Sequence, residues 1–234
     1  MVKEKFVITS NDVDRYNNLK ISSLFRFFQD VATVHINSLG AGHNDIIKQN
    51  LLWVIIRIDV KLYAPITVAD EIVVSTHAGE NRACLFDRYF QIYNRKGKLI
   101  GAASSLWTLI DKDTRKVCMK PNIKVIKPEH DKDDIPVPEK IVGEATNKVD
   151  ERKARYSEID LNGHLNNVEY IKYIFDIHPS SFYQDHVVKE ISVNYDKEIK
   201  EGDVVTLYSE VKDNVEIVKG KLGEQNSFTA KIIY

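Results

Sequence analysis

The stretch RYSEIDLNGHLNNVEYIKYIFD, Arg155 to Asp176, decides how this chain is read. It opens with polar residues at alternate positions, Asp160, Asn162 and His164. Apolar residues then recur at helical spacing: Leu165, Val168, Ile171 and Phe175, with Tyr170 and Ile174 widening the same face. The pattern predicts a helix with the polar trio at its mouth. A helix N-terminus offers unpaired N–H groups and a partial positive charge. Both suit an oxygen that becomes negative during acyl transfer. A carboxylate, an amide and an imidazole at that place can activate water and polarise a carbonyl. The same string permits a plainer reading, in which Asp160 and Asn162 cap the helix and His164 sits on the surface.

A repeat sharpens the choice. DRYNNLKISSLFRFFQD, Asp14 to Asp30, aligns without a gap on DLNGHLNNVEYIKYIFD, Asp160 to Asp176. Further on, IDVKLYAPITVAD from Ile58 aligns with ISVNYDKEIKEGD from Ile191, and Ile66 falls on Ile199. Shared apolar positions imply one fold used twice. The polar residues are not shared. Tyr16 and Asn18 stand where Asn162 and His164 stand, and Pro65 stands where Glu198 stands. The first copy keeps the aspartate and lacks the other three, which favours a site in the second copy.

The rest of the chain supplies an α+β pattern. A strand is expected at Lys5–Ser10 and a helix from Ile21 to about Leu39, stopped by Gly40 and Gly42. Strands follow at Leu51–Tyr63, Glu71–Gly79, Ala83–Asn94 and Lys98–Ile110. Four of the six prolines then lie between Pro121 and Pro138, with a charge cluster at His130–Asp134. This reads as an extended linker. The expected division is residues 1–120, a linker at 121–145, and residues 146–234. The second part should hold strands near Thr146–Arg155, Val187–Tyr195, Asp203–Val211, Val215–Lys221 and Ser227–Ile233.

Composition excludes several classes. A formal net charge of −1 provides no global field toward nucleic acid or anionic membrane. No apolar run reaches the length of a membrane span, and the first ten residues carry no secretory signal. Cys84 and Cys118 form neither a disulfide framework nor a metal-ligand spacing, and are expected as free thiols in a reducing cytoplasm. His35 and His43 are expected as packed or surface residues rather than metal ligands, and His178 and His186 as solvated. No Gly-x-Ser-x-Gly elbow is present, which argues against a serine hydrolase.

At Asp160-Leu-Asn162-Gly-His164-Leu-Asn-Asn167 the chain resembles the acyl-ACP thioesterase family. FQDVATVHINSLG, LLWVIIRIDV, RYFQIYN and SSLWTLIDKDTR in the first half are similar to the family as well. The resemblance covers nearly the whole chain. It implies two tandem hotdog domains, each a long helix wrapped by an antiparallel sheet, and hydrolysis of fatty acyl-ACP to free fatty acid. It implies Asp160, Asn162, His164 and Glu198 as catalytic residues, with no metal and no cofactor. It also implies acyl carrier protein as partner and an acyl-chain pocket in the first domain, for which Phe27, Val31 and Trp53 are the candidates. Plain core packing is the competing reading for those three. Plant members commonly carry a cysteine after the glutamate. Ile199 stands there in this chain, so that position offers no thiol. The plastid-targeting extension of plant members is absent too, which implies a bacterial-type protein.

Two carboxylates remain for the chemistry. Either Asp160 or Glu198 can act as general base on water, or one can attack directly. Asn162 is expected to orient the carbonyl or the water, and His164 to hydrogen-bond the nucleophile or the thioester. Three rivals stay open: an acyl-CoA thioesterase with the same site, a hotdog dehydratase, and a non-catalytic acyl-binding protein. Tandem hotdog units can pair within one chain, and a homodimer of such chains is also open. The lysine-rich linker could help dock an acidic carrier.

Overall fold

The computed structural model describes residues 1–121 and 136–234. Most of the expected linker, with its charge cluster at His130–Asp134, lies outside the described residues.

The chain forms two compact units, and neither is one run of sequence. The first comprises Met1–Val7, Phe27–Ala64 and Ala69–Glu139. The second comprises Ile8–Arg26, Pro65–Val68 and Lys140–Tyr234. Two segments of the first sequence half, 8–26 and 65–68, therefore count with the second unit.

The first unit contains strands β1 (Val2–Val7), β2 (Leu51–Leu62), β3 (Glu71–Arg82), β4 (Leu85–Asn94) and β5 (Leu99–Asp111). They form antiparallel ladders in the order β1-β3-β4-β5-β2. Helix α1 (Ile21–Ser38) lays an apolar face on this sheet. Phe27 meets Phe6 at 4.4 Å between ring centroids, and Phe28 meets Phe90 at 4.6 Å. Gly40, at a φ of 66°, ends the helix in the left-handed conformation that a side chain resists. The single turn α2 (His43–Ile46) follows.

The strand expected at Lys5–Ser10 lies earlier, at Val2–Val7. It pairs with β3 from Val2 opposite Thr76 to Val7 opposite Glu71. Its side chains are mostly exposed, and its charged run MVKEK suits a sheet edge more than a core strand. The periodicity of α1 also places one residue differently. Val34 is exposed, and His35 takes the buried position one turn after Val31. Its Nδ1 lies 2.9 Å from Nη1 of Arg88, which also donates to Thr76 Oγ1 at 3.1 Å.

The second unit repeats the plan. Strands β6 (Asn147–Lys153), β7 (Glu190–Tyr195), β8 (Val204–Lys212), β9 (Val215–Leu222) and β10 (Gln225–Ile233) run in the order β6-β8-β9-β10-β7. Counted within each half, that order is first, third, fourth, fifth, second in both. Helix α3 (Asn167–Phe175) packs Tyr170 edge-on against Tyr195 at 5.2 Å and against Phe228 at 5.4 Å.

His178 and His186, expected in solvent, are stacked. They sandwich Phe182, each with 3.9 Å between centroids. His178 is held there by Glu216, which occupies an inward position of β9 and is fully buried. A buried carboxylate requires donors. Glu216 receives hydrogen bonds from His178 Nε2 at 2.8 Å, Ser209 Oγ at 2.5 Å and the Tyr234 hydroxyl at 2.6 Å. Burial pushes its pKa up, yet these three donors outweigh it, and the pKa lies below the ordinary glutamate value.

Candidate active site

The polar trio does not lie on the first turn of a helix. Helix α3 starts only at Asn167, and its cap is Asn166, whose side-chain oxygen accepts the Val168 N–H at 2.9 Å. Asp160, Asn162 and His164 lie on a closed loop before it. The Asp160 N–H donates to the His164 carbonyl at 2.8 Å, and the Gly163 N–H donates to the Asp160 carbonyl at 3.0 Å. Ile159 and Leu165 bridge its two ends. Asp160 Oδ1 fills the loop from inside, accepting the N–H of Asn162 at 2.8 Å and of His164 at 3.3 Å. This is the habit of an aspartate that caps its own turn. It takes Asp160 away from α3.

The first copy builds the same loop. The Asp14 N–H donates to the Asn18 carbonyl at 2.8 Å, and Asn17 donates back to Asp14 at 3.1 Å. Asp14 Oδ1 accepts the N–H of Tyr16 at 2.8 Å and of Asn18 at 2.9 Å. Val13 and Leu19 bridge the ends. Each loop is tied to the next strand segment in the same way: Leu19 N–H to the Ile66 carbonyl at 3.0 Å, and Leu165 N–H to the Ile199 carbonyl at 2.8 Å. The shared aspartate thus serves the loop in both copies. What differs is what the loop carries.

In the second copy it carries a pair. His164 also bridges Lys200, so the strand segment carrying Glu198 runs beside the loop. His164 Nε2 lies 3.3 Å from Glu198 Oε2. The histidine side chain is 14 % exposed and the glutamate 36 %, so the pair is sheltered on the imidazole side and open on the carboxylate side. Asn162 is exposed on the same loop, with its Nδ2 3.4 Å from Asp160 Oδ2. All four residues belong to the second unit. In the first copy Asn18 and Pro65 stand at the positions of the pair, and neither can form it.

The three residues expected to meet an acyl chain have ordinary packing partners. Phe27 and Val31 are buried. Trp53 is half-buried, donates its indole N–H to the Ala41 carbonyl at 2.9 Å, and meets Phe86 edge-on at 5.0 Å. Leu51, Ile46 and Leu109 complete that cluster, with Cys118 at its margin. Cys84 and Cys118 are free thiols. Among the described residues, no group of three or more His, Cys, Asp or Glu side chains is disposed to hold a metal ion. No helix among them is long and apolar enough to cross a membrane.

Sequence reasoning passed over two residues that shape this region, Tyr170 and Ser227. Tyr170 read as one more apolar helix position, and Ser227 as the first residue of a strand. The available signal was a phenol and a hydroxyl at inward-facing positions.

Residues 1–125 match the acyl-ACP thioesterase N-terminal domain, and residues 143–232 match the acyl-ACP thioesterase C-terminal domain. The chain is 24% identical to the chloroplastic oleoyl-acyl carrier protein thioesterase 2 of Arabidopsis thaliana, over 97% of this chain and 68% of that one. It is 25% identical to the chloroplastic palmitoyl-acyl carrier protein thioesterase of Gossypium hirsutum, over 90% and 55%. It thus spans between about half and two thirds of the length of such plant relatives. Among solved structures, an acyl-ACP thioesterase from Bacteroides thetaiotaomicron superposes with a TM-score of 0.87 at 26% identity, covering 99% of this chain and 96% of that one. The 12:0-ACP thioesterase of Umbellularia californica, at 20% identity and a TM-score of 0.86, shares the fold. With both family domains matched in order and the tandem hotdog architecture in place, the chain belongs to the acyl-ACP thioesterase family.

Proposed function

We propose that this chain hydrolyses the thioester of a fatty acyl-ACP, releasing free fatty acid and holo-ACP. The observation that carries the reading is the His164–Glu198 pair, 3.3 Å apart, built only in the copy whose loop also presents Asn162. Family membership and the names of the relatives support the substrate class.

The geometry favours a division of labour between the two carboxylates. Asp160 has one oxygen occupied by two backbone N–H groups and the other facing an amide. It shapes the loop and orients Asn162. Glu198, with its carboxylate 3.3 Å from the imidazole and its side chain 36 % exposed, is assigned as general base, with His164 holding its orientation. In this scheme Glu198 takes a proton from water as the water oxygen bonds to the thioester carbon. Asn162 donates a hydrogen bond to the carbonyl oxygen as it becomes negative. The C–S bond then breaks, and the thiolate leaves and takes up the proton. A thiolate is a good enough leaving group that no strong acid is required. Phe27, Val31 and Trp53 remain the residues we assign to the acyl chain, and both free cysteines fit a reducing compartment such as the cytoplasm.

The test compares one acyl chain carried on ACP and on CoA, with free acid measured as product. It uses the wild-type chain and the variants Asn162→Ala, His164→Ala and Glu198→Gln. Hydrolysis of the ACP ester, lost by about 100-fold or more in all three folded variants, supports the reading. Preference for the CoA ester would make this an acyl-CoA thioesterase, and binding without turnover would make it an acyl-binding protein. Full activity in all three variants would remove the site.

A further inference from the structure

Glu198 sits outside the regular ladder, on the segment Asp196–Lys200 that follows β7, and something must hold it against His164. Three contacts do so. The first is a bulge in β10. The register of β10 against β9 shifts between Asn226 and Phe228, which leaves Ser227 as the extra residue. The Ser227 carbonyl accepts the N–H groups of Asp196 at 2.8 Å and Lys197 at 3.0 Å, and its hydroxyl donates to the Lys197 carbonyl at 2.5 Å. Three hydrogen bonds from one residue thus clamp the backbone just before Glu198.

The second contact fixes the backbone just after it. The Ile199 N–H donates to the Tyr170 hydroxyl at 3.3 Å. The ring of Tyr170 has little freedom, because Tyr195 and Phe228 each pack nearly at right angles to it. Burial, against hydrogen bonding with Ile199 and Ser227, pushes this phenol up to about 12, so the hydroxyl stays protonated at neutral pH. The third contact is the Leu165 N–H on the Ile199 carbonyl, already described. Ile199 itself is fully buried and anchors the segment.

We propose that Tyr170 and the Ser227 bulge are positioning residues for Glu198, holding its carboxylate at hydrogen-bonding reach of His164. The proposal rests on the assignment of Glu198 made above. Neither residue touches the thioester. Both act through the backbone on either side of the glutamate, so their loss should change turnover rather than substrate binding.

The experiment uses the full chain with the substitutions Tyr170→Phe, Ser227→Ala and Glu198→Gln, and each of the first two combined with the third. Tyr170→Phe keeps the ring and its two edge contacts, and near-ultraviolet circular dichroism shows which variants retain native packing. Expected is a fall in kcat of about tenfold for Tyr170→Phe and for Ser227→Ala, with KM within about twofold. The pH–rate profile should be displaced in both. In the Glu198→Gln background neither substitution should lower kcat further, because the group they position is gone. Wild-type kcat and pH profile in folded Tyr170→Phe and Ser227→Ala would overturn the proposal. So would losses that multiply with that of Glu198→Gln. Full activity of Glu198→Gln alone would instead overturn the underlying site assignment, whatever the other two do.

Discussion

Asn17 and Gly163 occupy one left-handed position in two copies of the same loop, with φ of 65° and 80°. Asparagine and glycine are the residues that adopt this conformation at least cost. The loop geometry was therefore kept while its side chains changed, and the left-handed residue is a requirement of the loop rather than of catalysis. Nothing lies within 4 Å of where a Gly163 side chain would begin, so space is not the constraint. Gly163→Asn is expected to stay within about 0.5 kcal/mol of wild-type stability. Gly163→Val should lose about 1–2 kcal/mol through the backbone alone. Equilibrium urea unfolding of both variants measures the difference.

The twin aspartates separate loop building from chemistry. Asp14→Ala deletes the acceptor of two backbone N–H groups in the copy without a site. It should destabilise the chain by about 1–2 kcal/mol while kcat at a permissive temperature stays near wild type. Asp160→Ala should cost similar stability and also lower kcat, because Asn162 and His164 ride on the loop it closes. Asp160→Asn keeps an oxygen that can accept both bonds. Its melting temperature should stay close to wild type, and its kcat then reports whether the charge of Asp160 is needed. A loss as deep as that of Glu198→Gln in a fully stable Asp160→Asn would assign a direct role to that carboxylate.

Much of this is legible in the sequence, and the exceptions have physical causes. The duplicated apolar positions gave two copies of one strand order, because buried residues at fixed spacing leave few packings. The mismatch of Asn18 with His164 and of Pro65 with Glu198 singled out a pair that the fold brings together. The helix start was misplaced because Asp160-Leu-Asn162 has the composition of a cap. Nothing in the string tells an aspartate that caps a helix from one that closes its own turn. His178 reads as solvated because its partner Glu216 is distant in sequence. Its place at an inward parity of VEIVKGKL was the clue. Tyr170 and Ser227 were missed because their importance lies in which backbone groups they reach, and that depends on a bulge.

Gly220 supports the Tyr170 ring from a distance. A side chain on Gly220 would begin 2.0 Å from Cε1 of Phe228, the residue opposite it in the ladder, and Phe228 is fully buried. Phe228 in turn meets Tyr170 edge-on. Gly220→Ala should therefore displace the Phe228 ring, with a loss of about 1–3 kcal/mol from overpacking. If the ring moves toward Tyr170, kcat should fall along with stability. Thermal unfolding and steady-state kinetics on the same preparation would register both.

Glu216 gives a prediction for acid. Its carboxyl is fully buried, and hydrogen bonds from His178, Ser209 and Tyr234 hold its pKa below the ordinary glutamate value of 4.5 despite that burial. A carboxyl depressed in the folded state stabilises the fold above its unfolded pKa and loses that contribution as pH falls through the folded value. Glu216→Gln should thus be less stable than wild type by about 1–3 kcal/mol near neutrality. The gap should hold down to about pH 5 and close as the solution is acidified further. Chemical unfolding of both proteins at a series of pH values reads this directly. A gap that stays constant to well below pH 4 would mean that the carboxyl titrates alike in the folded and unfolded chains, whereas a gap that widens on acidification would mean that the three donors hold a neutral carboxyl.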